Sequence, residues 1–524
     1  MEWTPEAKEA FKQVPPAIQK TARLAVEAHV RNKGLGVVDI ELLEEAKAAL
    51  MGGAGRRSDE EEEKSDLNMG VNRRHSMRLG DNENYFANET TGDPLHDAFE
   101  SKMAVHAMPK GTPIGHEKLS GTWKKVMQGM DGVPLRTLYI HIPFCETHCR
   151  FCGFYQNPYT SDSAEKYVKA LIEEIKLTSR EPFVKSHPFH AVYFGGGTPT
   201  ALAPESLAEV IDAVQNNFSL TNDCEITLEG RIHNFTHEKI DAAINSGINR
   251  ISLGVQTFDS KIRKSLGRIE KKEKIIESLN YLSSLGKAAI IIDLIYGLPG
   301  QSLKIWEEDI KTFLSLEIDG CDLYQLNVFR GGKLEEAVKK DLLPKPATLK
   351  EQADYFVLGV ELMKAAHFRR LSIPHWAGTT RERSLYNIFS RGRGECVPLG
   401  AGAGGWLQNC FFFVEGDLQE YFKAIEAGQK PLSFGMTRPA KDLLFRDISY
   451  QIELGYCDLK DLASLHKLNL LNIVQPVISQ WEKAGLVKIT GGCLYLTLPG
   501  EFWAVNLAQM LIDCLQKKIE SDTK

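Results

Sequence analysis

No stretch of the 524 residues approaches the roughly 20 uninterrupted apolar residues of a membrane span. Nor does Met1-Glu2-Trp3-Thr4-Pro5-Glu6 carry the basic and apolar regions of a secretory leader, so a cytoplasmic protein with no membrane partner is expected. A basic excess is also missing. Lys and Arg total 63 against 69 for Asp and Glu, a net charge of −6, which removes the global field that would hold nucleic acid, and no nucleic acid partner is expected. Cysteine is scarce: ten in the whole chain, too few for a disulfide scaffold of this length. Three of those ten fall within eight positions, and that crowding points to ligation or catalysis. With 43% hydrophobic and 25% charged residues the bulk of the chain folds, and its length allows two to four domains.

Residues 1–51 read as a small helical module, with Thr4 capping a helix that has Pro5 at its first position and Asp39 opening a second run through Leu42, Leu43, Ala46 and Leu50. Residues 52–130 form a linker and lead-in, whose block Asp59-Glu60-Glu61-Glu62-Glu63-Lys64 is too polar to bury against the entropy of ordering it. From Leu135 the pattern turns to short β-rich runs separated by helical ones. Six strands are expected: Leu135-Ile142, Ala191-Phe194, Glu225-Glu229, Arg250-Val255, Ala288-Ile295 and Asp322-Val328. The intervening helices are Glu165-Leu177, with an Asp162/Glu165 capping pair, then Pro204-Val214, His237-Ile244, Lys272-Leu285 and Leu303-Phe313. Right-handed crossovers wrap six such units into an α/β fold, a partial (β/α)6 barrel over 131–335, whose ligands bind at the carboxyl ends of the strands. Residues 336–435 extend the core on the substrate side, and 436–524 read as a C-terminal helical, winged-helix-like cap.

The chemistry is concentrated in Tyr139-Ile140-His141-Ile142-Pro143-Phe144-Cys145-Glu146-Thr147-His148-Cys149-Arg150-Phe151-Cys152-Gly153, with the spacing C-x3-C-x2-C. Three thiolates on one loop can ligate three irons of a [4Fe-4S] cube and leave the fourth open. A closed zinc site would need His141 or His148 as a fourth ligand. Further motifs follow in order: Phe194-Gly195-Gly196-Gly197-Thr198-Pro199-Thr200, Ile226-Thr227-Leu228-Glu229, Ser252-Leu253-Gly254-Val255-Gln256-Thr257-Phe258 and Ile292-Asp293-Leu294-Ile295-Tyr296-Gly297-Leu298-Pro299-Gly300, each at an expected strand end. A glycine run there exposes backbone N–H groups to an anionic or polar ligand.

These motifs resemble the radical S-adenosylmethionine (SAM) enzymes, and within them the branch that contains oxygen-independent coproporphyrinogen dehydrogenase, over about residues 135–515. The resemblance implies a [4Fe-4S] cluster on the catalytic cysteines Cys145, Cys149 and Cys152. It further implies SAM beside Tyr139, Phe151 and Gly153, cradled by Gly195, Gly196, Gly197 and Thr198, and held by Glu229, Gln256, Arg268 and Asp293.

At Phe154 coproporphyrinogen dehydrogenases usually carry a fourth cysteine, and this chain departs from them. The run Cys149-Arg150-Phe151-Cys152-Gly153-Phe154-Tyr155, with Asp93-Pro94-Leu95-His96-Asp97-Ala98-Phe99 upstream, is similar to the anaerobic heme-degrading radical SAM methyltransferases of heme-utilisation operons. That likeness implies methyl transfer to heme, opening of the macrocycle to a linear tetrapyrrole and release of iron. It also implies two SAM per turnover, a flavodoxin- or ferredoxin-type electron donor and a carrier protein for heme or product. A coproporphyrinogen dehydrogenase and a heme chaperone that binds heme and cluster without turnover are the alternatives. Residues 3–47 resemble the helical tail of a light-independent protochlorophyllide reductase subunit.

Gly400-Ala401-Gly402-Ala403-Gly404-Gly405 satisfies G-x-G-x-x-G, but Trp406-Phe413 reads as strand, so close backbone packing is expected there in place of a dinucleotide site. Arg369, Arg370, Arg381, Arg383, Arg391 and Arg393 are candidates for heme propionates or a solvated surface, and His375 for a heme ligand, a proton donor or a hydrogen-bonded core histidine. The remaining cysteines read as packing residues.

All motifs of the radical machinery lie between Tyr139 and Gly300. Removal of residues 1–82 is therefore expected to leave SAM cleavage intact, measured as 5′-deoxyadenosine formation by the anaerobically reconstituted truncation. Collapse of that activity with the cluster fully loaded would place the module inside the catalytic core.

Overall fold

The computed structural model describes residues 1–12, most of 22–51, 85–103 apart from 90–91, 111–129 and 135–522; the acidic block 59–64 of the expected linker lies outside the described residues. Strands β1 (Arg136–Ile142), β2 (Phe189–Gly196), β3 (Leu220–Gly230), β4 (Arg250–Gln256), β5 (Ala289–Tyr296) and β6 (Gly320–Gln325) run parallel and in sequence order. Between successive strands lie α1 (Ser161–Ser179), α2 (Pro204–Asn217), α3 (His237–Asn245), α4 (Lys272–Leu285) and α5 (Leu303–Leu314). All six expected strands and all five expected helices are present. The cap of α1 differs: Thr160 accepts from the Ser163 N–H at 3.3 Å, so the helix starts ahead of the expected Asp162/Glu165 pair.

Three more strands complete the sheet. β7 (Arg369–Arg370) and β8 (His375–Ala377) add antiparallel beyond β6, while β9 (Glu395–Leu399) adds parallel beyond β1, giving the order β7-β8-β6-β5-β4-β3-β2-β1-β9. The six parallel strands are therefore flanked on both sides by strands from the 336–435 extension, one of which leaves an edge only two residues long. Alternation along the strands separates two environments. Ile290, Ile292 and Leu294 of β5 are buried in the main apolar core, while Asp293 faces a cavity with Asp322, its register partner on β6.

A buried polar knot ties the Gly-rich turn to the barrel. Glu174 of α1 accepts from the Gly400 N–H (2.7 Å), the Tyr421 hydroxyl (2.6 Å) and Lys430 Nζ (2.7 Å). Gly400 and Gly402 both have φ of +92°, and a Cβ at Gly400 would lie 2.5 Å from the His141 carbonyl oxygen. The turn feeds a hairpin, β10 (Gly404–Leu407) and β11 (Cys410–Val414), and no helix, so the close-packing reading of this motif holds.

Residues Asp442–Glu453, Tyr456–Asp458, Leu459–His466, Leu470–Lys483 and the antiparallel pair Val487–Thr490 with Cys493–Leu496 form the winged-helix-like cap. Trp481 donates to the Tyr85 carbonyl and Trp503 to the carbonyls of Pro94 and Leu95, so the cap grips the lead-in segment. At the amino end, Glu2–Trp3 pairs with Val37–Val38 over a small separate core that includes Trp3, Val30, Val38 and Leu43. Among the described residues no helix is long and apolar enough to cross a membrane.

Glu174→Ala should destabilise the protein by about 3–5 kcal/mol, the cost of leaving a buried charge such as Lys430 without its partner. The check is the denaturant midpoint of the variant; an unchanged midpoint would show that the knot does not secure the Gly400 turn.

Candidate active site

The cysteine loop leaves the carboxyl end of β1, with Phe144–Cys145 bridging briefly to Asn157–Pro158. Cys145 and Cys149 are buried and Cys152 is partly so; all three are free thiols. Thr198 Oγ1 lies 3.3 Å from Cys145 Sγ, and the Phe154 N–H donates to Cys152 Sγ at 3.3 Å. Among the described residues no three His, Cys, Asp or Glu side chains converge on the position of a single ion. His141 has its two ring nitrogens near the Tyr139 hydroxyl (3.1 Å) and Gln156 Oε1 (3.2 Å), and burial pushes its pKa down to about 4. His148 stacks on Tyr155 with ring centroids 4.1 Å apart. Neither histidine is arranged as the fourth ligand that a zinc site would require.

The Gly-rich segment packs directly against this loop. A Cβ on Gly196, whose φ is +110°, would stand 2.6 Å from the His141 ring, one on Gly197 2.6 Å from the Phe144 carbonyl oxygen, and one on Gly195 2.8 Å from Glu229 Oε2. A side chain at Gly196 would be strained by its φ and meet the His141 ring, and one at Gly197 would meet backbone, while one at Gly195 would displace the Glu229 carboxylate. Gly153 lies on the exposed side of the loop, where a Cβ would meet Phe329 at 3.1 Å.

Of the other expected SAM contacts, Glu229 and Asp293 line one cavity, while Tyr139, Gln256 and Arg268 stand on or just after neighbouring strands. Tyr139 is on β1, its ring 6.2 Å from that of Tyr193. Glu229 ends β3 and accepts from the Tyr193 hydroxyl at 2.5 Å, while burial raises its pKa. Gln256 ends β4 in the left-handed region, φ +70°, with its Oε1 buried and unpartnered. Arg268 follows on the next loop, donates to the Gly254 carbonyl at 2.5 Å, keeps a buried unpartnered Nε, and lies over the Phe151 ring at 5.7 Å. Asp293 opens on a polar cavity of about 220 Å³; burial, reinforced by Asp322 and Glu229, pushes its pKa up to about 7. These groups fit the cofactors: three free thiols for iron, and unpaired buried donor and acceptor atoms for a polar ligand next to them.

Sequence reasoning missed much of the lumen. Arg250, Asp322 and His375 form a buried chain with Glu382: Arg250 Nε to Glu382 Oε2 3.0 Å, His375 Nε2 to Glu382 Oε1 2.9 Å, His375 Nδ1 to Asp322 Oδ2 2.8 Å. Burial opposes a charged His375, yet the two carboxylates raise its pKa to about 9. His375 is thus a hydrogen-bonded core residue. Asp322 shares the register and alternation of Asp293, a usable signal. Tyr386 and Asn387, which also line the cavity, come from a distant helix, Leu385–Arg391, and no local pattern marks them. The candidate arginines are engaged within the protein: Arg370 with Glu501, Arg381 with the Ala288 carbonyl, Arg383 with the Asp223 carbonyl, Arg391 with Glu453, Arg393 with Asp447 and Arg369 with the Glu382 carbonyl. They form neither an open propionate patch nor a purely solvated surface.

Comparison with family models matches the radical SAM superfamily over residues 139–313 and the proto-chlorophyllide reductase 57 kD subunit over residues 3–47. The chain belongs to the radical SAM superfamily, in its coproporphyrinogen oxidase-like branch, whose cofactors are a [4Fe-4S] cluster and SAM. Within that class it is similar to anaerobilin synthase of Escherichia coli O157:H7, 38% identical over 421 residues that make up 80% of this chain and 93% of that protein. The heme chaperone HemW of Bacillus subtilis (strain 168) is 27% identical over 376 residues, 70% of this chain and 96% of that one. The solved coproporphyrinogen III oxidase HemN of Escherichia coli shares the fold, with a TM-score of 0.65 at 21% identity, covering 77% of this chain and 96% of its own.

Replacement of any of Cys145, Cys149 or Cys152 by Ala should abolish the broad visible absorption of the cluster together with SAM cleavage. Asp293→Asn should retain that absorption and weaken SAM binding by about tenfold, the loss of one charge-assisted hydrogen bond of about 1.4 kcal/mol. Loss of the cluster in the Asp293 variant would contradict the division of roles.

Proposed function

We propose that the protein is an anaerobic radical SAM methyltransferase that methylates and opens the heme macrocycle, giving a linear tetrapyrrole and free iron. The observation that carries the reading is the 38% identity to anaerobilin synthase across 93% of that protein's length. Phe154 supports it. The side chain is 73% exposed two residues after Cys152, so a flat apolar surface stands where coproporphyrinogen dehydrogenases usually place a thiol.

A [4Fe-4S] cluster held by Cys145, Cys149 and Cys152 would supply the electron for reductive cleavage of SAM, and a second SAM would supply the methyl group. Cys145, Cys149 and Cys152 hold three irons. The Gly195–Thr198 backbone receives the methionyl amino and carboxylate groups, with Gln256 Oε1 and Arg268 Nε available to complete their pairing. Tyr193 orients the Glu229 carboxylate, and Glu229 and Asp293 accept hydrogen bonds from ribose hydroxyls. Tyr139 and Phe151 flank the adenine and the cluster.

Heme or a related tetrapyrrole is the substrate, a flavodoxin- or ferredoxin-type protein the electron donor, and a heme or product carrier a further partner, with the cytoplasm as the location. HemW, matched over 96% of its length, supplies the second reading, a heme chaperone. Anaerobic incubation with reductant, SAM and heme separates them. Loss of the heme Soret band with 5′-deoxyadenosine formation is expected; persistent, transferable heme would favour the chaperone, and turnover of coproporphyrinogen in a parallel incubation would favour the dehydrogenase.

A further inference from the structure

The segment that follows β3 does more than connect it to α3. Gly230 is packed so closely on Thr200 that a Cβ there would lie 2.3 Å from Thr200 Cγ2, and the Arg231 N–H donates to Thr200 Oγ1 at 3.2 Å. Ile232 is buried in the main core, and Asn234 takes a left-handed conformation, φ +58°. So pinned, the turn sends two side chains 84 and 88 residues back along the sequence to the interval between Cys145 and Cys149. Arg231 Nη1 donates to the Thr147 carbonyl oxygen at 3.1 Å and Nη2 to Thr147 Oγ1 at 2.9 Å. Asn234 Nδ2 donates to Glu146 Oε1 at 2.6 Å, and His233 sits between Glu146 (3.7 Å) and Glu270 (2.9 Å). The guanidinium fork thus grips one residue through both its backbone and its side chain, a geometry that a lysine ammonium cannot reproduce. Arg231 Nε remains buried with no partner.

We infer that Arg231 is a positioning residue that clamps the cysteine loop and, through its charge, raises the reduction potential of the cluster bound there. The inference rests on the assignment of Cys145, Cys149 and Cys152 as cluster ligands. A cube carried by three thiolates becomes more negative by one charge on reduction, and cluster potentials follow net charge, hydrogen bonding and exposure. A fixed cation of the same loop environment favours the more negative state. Glu146, on the same loop, has the opposite sign, but it is paired with Asn234 and faces His233, whereas the fork of Arg231 is spent on neutral oxygens and its charge is uncompensated by any carboxylate contact within the turn. Arg268 supplies a second cation from the Gly254 side, so removal of Arg231 shifts the potential without erasing all positive charge.

Three variants test this, each read by two measurements other than turnover: the midpoint of an EPR-monitored redox titration and the rate of iron loss to an anaerobic chelator. Arg231→Met should show a midpoint shifted negative and iron loss several-fold faster than the parent. Arg231→Lys should keep a midpoint near the parent's, because the charge remains, but lose iron nearly as fast as the Met variant, because the fork is gone. Thr147→Val, which removes one acceptor and no charge, should show faster iron loss at an unchanged midpoint, and it carries the clamp test should the Met variant fail to fold. A Met variant with the parent's midpoint overturns the electrostatic role; Lys and Val variants with the parent's rate of iron loss overturn the clamp. Parent protein that takes up no iron at all would instead overturn the cysteine assignment on which the inference rests.

Discussion

One short loop, Cys145 to Cys152, has to present three thiols at fixed mutual positions while its backbone has no regular structure beyond the two-residue bridge at Phe144–Cys145. The surrounding elements supply the rigidity. β1 delivers the loop at its carboxyl end, Gly196 and Gly197 close on His141 and Phe144 just ahead of the first cysteine, and Tyr167 donates to the His141 carbonyl oxygen at 2.6 Å. That same tyrosine hydroxyl accepts from the Ala401 N–H at 3.0 Å, so the Gly-rich turn from the far end of the chain braces the strand that carries the loop. The glycines at 195–197 and at 400 and 402 serve one purpose in two places: they let backbone approach backbone where a ligand loop must not move.

The second constraint is electrostatic. A fully packed (β/α) barrel fills its interior with branched apolar side chains. Here the interior instead holds Glu229, Asp293 and Asp322 around a cavity, with Arg250 the main opposing charge, and the Arg250–Glu382–His375–Asp322 chain fastening β8 and its following loop across the lumen. A buried ion chain of this kind contributes little net stability, because desolvation offsets most of the attraction. Its value lies in geometry: it fixes Asp322 beside Asp293 and gives the lumen a polar lining rich in carboxylates. The ordinary packing energy of the protein resides outside the sheet, where residues such as Trp306 and Phe313 of α5 are fully buried.

The architecture was legible where sequence pattern and burial coincide. Parallel strands covered on both faces read as apolar runs, which is why all six were placed within a few residues of their bounds, and the C-x3-C-x2-C spacing marked the loop. What local pattern cannot carry is contact across the chain. β9 joins β1 as a parallel neighbour from more than 250 residues downstream, and Tyr386 and Asn387 reach the cavity from a helix whose own sequence is unremarked by any motif. The six candidate arginines failed as an open patch for the same reason. Half of their partners, Glu453, Glu501 and Asp447, belong to the C-terminal region, the others are the Ala288, Asp223 and Glu382 carbonyls, and only the folded chain brings them together. Arg231, too, sits in an undistinguished turn, and its meaning comes from Thr147.

The central claim is that this site transfers a methyl group to heme and opens the ring. It is tested most directly by mass spectrometry of the tetrapyrrole recovered after a single anaerobic turnover with SAM labelled as the trideuterated methyl. The account predicts an iron-free, linear tetrapyrrole that carries the labelled methyl carbon. Heme recovered intact and unlabelled, from protein whose cluster is loaded and whose SAM is cleaved, would contradict it.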